Sequence, residues 1–146
     1  MREIPSGWLL RYLHSNVSSF LFILLFMHIA IVIYFVSFRK PKQLVWCSGV
    51  ILFILISGIA FLVYTLPWGQ ISFLGSTVIT NLITAIPIIG QKIVLWLLGS
   101  FAISQSTLNR FFSLHYILSI LALGLAIAHL ILLHLVGSTT PVFNET

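Results

Sequence analysis

Four of the five histidines fall into two pairs of equal spacing, His14 with His28 and His115 with His129, each pair 14 residues apart within long apolar stretches. An imidazole can ligate a metal, carry a proton or bridge helices, and placing one inside hydrocarbon is costly enough to mark a functional position. On a helix, 14 residues rise about 21 Å and return to within ~40° of the same face. One ring of each pair then stands near each side of a ~30 Å hydrocarbon core. A proton relay has no need of equal spacing on two helices. Zinc transport favours carboxylates nearby, yet aspartate is absent and the two glutamates, Glu3 and Glu145, lie at the termini. Two helices with such pairs can instead clamp two stacked flat groups. Two axial imidazoles per iron give a six-coordinate haem, suited to moving electrons rather than binding oxygen.

The elements that must carry these rings are transmembrane helices. The chain has 146 residues, 60% hydrophobic and 6% charged, too apolar for a soluble domain. Spans are expected at about 8–38, 44–66 and 107–136. Between them, residues 71–106 are apolar but interrupted by Gly75, Pro87, Gly90 and Gly99. They are read as two short surface helices near 72–83 and 91–99. The expected class is an all-α integral membrane protein, three spans and two surface helices forming part of a di-haem four-helix bundle. The net charge of +5 reports orientation, not nucleic-acid binding. The cluster Arg39-Lys40-Pro41-Lys42 marks the cytoplasm-like side, the matrix if the protein is mitochondrial. One span separates the first and third, so these run in the same direction. His14 is then level with His115, and His28 with His129. Cys47 is the only cysteine, which rules out a disulfide within the chain. The polar start, Met1-Arg2-Glu3-Ile4-Pro5, is read as leading straight into a span rather than as a signal peptide.

Other residues carry weaker signals. Arg11 lies one turn before His14 on the same face, where it either pairs with a haem propionate or snorkels to the interface. Arg110, five residues before His115, is poorly placed for direct contact with the same group. His134 points ~140° away from His129 and reads, on geometry alone, as an interfacial histidine. Gly49 leaves room for a neighbouring helix or a flat macrocycle.

The motifs around these residues occur in a specific order. Gly7-Trp8-Leu9-Leu10-Arg11-Tyr12-Leu13-His14 comes first, then Arg39-Lys40-Pro41, Leu66-Pro67-Trp68-Gly69-Gln70 and Val78-Ile79-Thr80-Asn81-Leu82. Thr107-Leu108-Asn109-Arg110-Phe111-Phe112-Ser113-Leu114-His115 follows. Over essentially its whole length the chain resembles mitochondrial cytochrome b, the haem- and quinone-bearing subunit of respiratory complex III. The resemblance implies two haem b groups, one held by His14 and His115 near the outer side and one by His28 and His129 near the matrix. Arg11 would meet a propionate of the first. Pro67, Trp68, Gly69 and Gly75 match part of the family's quinol-oxidation pocket. His134 and Ser138 match positions of its quinone-reduction site, with ubiquinol and ubiquinone as substrates.

The departures are equally specific. The family has a further span before the Met1-Arg2-Glu3 linker and four more spans beyond the region matched here. Ile31 stands where an arginine usually serves the matrix-side haem, Val63 replaces a glycine facing the outer-side haem, and Leu135 replaces an acidic residue. The resemblance therefore implies a piece of a split cytochrome b in the mitochondrial inner membrane, not active alone. It would assemble with the segments carrying the missing first and C-terminal spans, a Rieske iron–sulfur protein, cytochrome c1 and the other complex III subunits to form a quinol–cytochrome c oxidoreductase. Two alternatives stand beside it: a stand-alone di-haem anchor of a quinone-linked dehydrogenase, and a structural remnant that binds no haem.

Overall fold

A computed structural model describes residues 3–137, and every regular element among them is helical. The helices are α1 (Gly7–Tyr34), α2 (Gln43–Thr65), α3 (Gln70–Thr84), α4 (Gly90–Leu98) and α5 (Gln105–Val136). Three of them, α1, α2 and α5, are long and apolar enough to cross a membrane. At 28, 23 and 32 residues they exceed the ~20 that a bilayer core requires. No residue of α1 is buried, and its apolar character continues round the whole helix, as expected for a surface met by lipid or by other protein.

Of the described residues, 3–46 together with 133–137 form one compact unit, and Cys47–Leu132 form a second. In the first, α1 stops at Tyr34, four residues short of the expected end. The chain leaves the helix through a Schellman turn. Ser37 N–H donates to the Val32 carbonyl (2.9 Å) and Val36 N–H to that of Ile33 (3.1 Å). The left-handed residue of this turn is Val36, with φ at 52°, rather than the usual glycine. Beyond it, Phe38 packs against Trp46 with ring centroids 5.7 Å apart.

The core of the second unit is small and partly polar. Thr65, Ser76, Thr107 and Phe111 are fully buried. Phe111 of α5 meets Phe61 of α2 edge-on at 5.6 Å. Ser76 donates to the Ser72 carbonyl (2.8 Å), so the 2.6 Å contact between Ser76 and Thr65 has the threonine hydroxyl as its donor. Helices α3 and α4 pack closely on each other. The end of α4 is closed by the start of α5: the Leu98 carbonyl accepts from Ser106 (3.0 Å) and Thr107 (2.9 Å), and the Trp96 carbonyl from Arg110. A guanidinium at a helix C-terminus also meets the negative end of the macrodipole. Gly99, at φ 70°, leaves the space that Arg110 uses, since a Cβ there would lie 2.7 Å from its Nε. Arg110 thus finishes α4.

Candidate haem-ligand site

His115 and His129 lie on one uninterrupted helix, and each reaches α2 with Nδ1. His115 Nδ1 is 3.0 Å from the Ile59 carbonyl, and His129 Nδ1 is 2.8 Å from the Ser48 hydroxyl. The later histidine meets the earlier α2 residue, so α2 and α5 run antiparallel. A step of 14 residues on α5 matches one of 11 on α2, about 21 Å against ~17 Å of rise. Both rings are half-buried.

These bonds decide what the rings can do. A carbonyl only accepts, so the His115 proton sits on Nδ1 and the lone pair of the neutral ring is on Nε2. Metal-bound histidines are usually held in this way, by a second partner that fixes the tautomer and raises ligand basicity. At His129 the hydroxyl of Ser48 can accept the same proton. The wall beside it is bare: a Cβ on Gly49 would come within 3.1 Å of His129 Cε1. What fills the gap at Gly49 is therefore an imidazole edge. Among the described residues, no three of His, Cys, Asp and Glu gather as a metal cluster. A bis-imidazole iron asks for only two rings; His115 has the tautomer and support that such a ligand needs, and the Ser48 hydroxyl can support the same tautomer at His129.

His14 and His28 lie on α1, likewise unbroken between them, so their separation is again ~21 Å along one face. Both are exposed within the chain, as is Arg11 one turn before His14. His134 lies in the last turn of α5 and is exposed. Ser138 falls outside the described residues.

The Pro67-Trp68-Gly69 corner joins α2 to α3. Its left-handed residue is Trp68, at φ 57°, while Gly69 is extended at the N-cap of α3, where an added Cβ would meet nothing within 4 Å. A bulky residue at positive φ costs roughly 1–3 kcal/mol and is typical of functional corners. Gly75 serves packing: a Cβ there would come within 2.8 Å of Tyr64 Cε1. A cavity of ≈ 550 Å³ opens between α3, α4 and the segment after them, lined by Thr77, Asn81, Lys92 and Leu95 among others. Pro67, Trp68, Gly69 and Gly75 are not part of its wall. Sequence reasoning missed Ser48 and the Ile59 carbonyl as partners of the histidines. A hydroxyl beside Gly49 in an otherwise apolar span was the available signal for the first; a backbone carbonyl leaves none.

The family model described as Cytochrome b/b6/petB matches residues 1–137. The chain belongs to the cytochrome b family. Curated cytochrome b proteins from Phytophthora megasperma and Schizophyllum commune are 54% and 55% identical to it over 141 residues, and that from Solanum tuberosum is 50% identical. Each alignment covers 97% of this chain but only 36–37% of the relative, so the chain spans a little over a third of their length. A solved structure described as a hyperthermophilic respiratory Complex III superposes with a TM-score of 0.84 at 32% identity, covering 99% of this chain and 39% of that one. The all-helical, multi-pass character read from composition is that of a cytochrome b.

Proposed function

We propose that this chain supplies the four axial imidazoles of two b-type haems within a quinol–cytochrome c oxidoreductase of the mitochondrial inner membrane. The observation that carries the reading is the Nδ1 bond from His115 to the Ile59 carbonyl, matched by that between His129 and Ser48, in a cytochrome b family chain. Bound haem b supplies one-electron redox chemistry, and two imidazoles on one iron keep oxygen out.

The chain's own residues divide the remaining work. His14 with His115 would serve the outer-side haem, and His28 with His129 the matrix-side one. Helix α2 holds the α5 rings by their Nδ1 atoms, which fixes the direction of each Nε2 before a group binds. Arg11 would pair with a propionate, a charge-assisted bond that gains strength near hydrocarbon. Pro67, Trp68, Gly69 and Gly75 would form part of the quinol-oxidation pocket, on the corner where Trp68 is held at positive φ. His134 and Ser138 would contribute to quinone reduction, the histidine donating or accepting a proton at the quinone oxygen. The other cytochrome b segments, the Rieske protein and cytochrome c1 would complete the enzyme.

Reduced-minus-oxidised spectra of the purified complex test this. Two b-type signals are expected; His14→Ala and His115→Ala should remove the same one, and His28→Ala and His129→Ala the other. Four variants that leave both signals intact would overturn the assignment. Copurification with a soluble dehydrogenase in place of complex III subunits would favour a stand-alone anchor.

A further inference from the structure

We propose that Ser48 is a positioning residue that sets the redox potential of the haem held by His129, a role that rests on the ligand assignment above. The two α5 histidines are supported by different chemistry. His115 bonds to a backbone carbonyl, a fixed acceptor that no side-chain replacement removes. His129 bonds at 2.8 Å to a hydroxyl, and that hydroxyl belongs to a residue only 8% exposed. An acceptor on Nδ1–H gives the ring partial imidazolate character, makes Nε2 a stronger donor and favours ferric over ferrous iron. Ser48 therefore holds the potential at its own level below what an unsupported imidazole would give. Gly49 adds the geometric half of the device. With no side chain, it lets the ring lie against α2 within reach of the neighbouring hydroxyl, and the bare backbone and Oγ together fix the ring's rotation.

The experiment is a redox titration of both b-type signals in the assembled complex carrying Ser48→Ala or Ser48→Thr. Alanine removes the acceptor, so the His129-level signal should persist with a raised midpoint while the His115-level midpoint stays in place. A tenfold weaker preference for ferric iron corresponds to about 59 mV in a one-electron couple. Threonine keeps the hydroxyl and should return the midpoint to the parent value. Loss of the His129-level signal with alanine but not with threonine would also support the role. An unchanged midpoint with alanine, an equal shift of both signals, or failure of threonine to restore what alanine changed would each overturn it. Failure of the underlying assignment looks different: His129→Ala would then leave both signals in place, whatever the Ser48 variants do.

Discussion

Filling the bare wall at Gly49 should damage one haem level selectively. A Cβ there lies 3.1 Å from His129 Cε1, whereas carbon–carbon contacts settle at roughly 3.5–4.0 Å. The ring must therefore give by a few tenths of an ångström. It is tethered by the 2.8 Å bond to Ser48, one residue away, and a shift of that size stretches the bond toward the ~3.2 Å limit of an ordinary N–H···O contact. Overpacking of this kind costs about 1–3 kcal/mol, which weakens binding at the His129-level site by about five- to 150-fold in affinity. The assay is haem content with reduced-minus-oxidised spectra of the purified complex for Gly49→Ala and Gly49→Val. The His129-level signal should weaken with alanine and fall further with valine, while the His115-level signal holds. Gly58→Ala is the control, because nothing lies within 4 Å of its added methyl and the helix gains ~1 kcal/mol of propensity. Full intensity at an unshifted potential in Gly49→Val would refute the reasoning.

Two further outcomes follow from the local geometry. Arg110→Gln removes the cation that finishes α4, an exposed contribution of about 0.5–1 kcal/mol. Amide hydrogen exchange over Ile93–Leu98 should quicken roughly two- to fivefold, and unchanged exchange would show that Ser106 and Thr107 close the helix alone. Val36→Gly relieves a β-branched residue at φ 52° and should stabilise the protein by about 1 kcal/mol, seen as a higher thermal midpoint; a lower one would mean that the Val36 side chain contributes more than its backbone costs.

What could be read in advance was whatever depends on period and composition. Three spans, the interrupted segment and the paired histidines follow from apolar length and a 14-residue step. Features that hang on one backbone angle were hidden. The end of α1 could not be placed from a glycine, because Val36 takes the left-handed position of the turn. At the Pro67-Trp68-Gly69 corner a positive φ would be assigned to Gly69, yet Trp68 bears it. The close approach of Tyr64 to Gly75 was equally hidden, because a glycine in a sequence does not name the side chain that lies against it. Arg110 could be read only as poorly placed for the group near His115, because linear spacing says nothing of α4, whose carbonyl it meets. The same limit hid both partners on α2: an antiparallel neighbour brings Ile59 and Ser48 to His115 and His129 across 56 and 81 residues of sequence.

The unequal support of the two α5 histidines bears on how this chain can change over generations. A carbonyl belongs to every residue type, so substitution at Ile59 leaves the partner of His115 in place. The Ser48 bond to His129 is encoded by the identity of one residue and can be lost or regained by a single substitution at position 48. Two sites of the same chemistry in one helix pair are thus unequally exposed to drift: one is locked by the main chain, and the other is open to adjustment by selection without disturbing its twin.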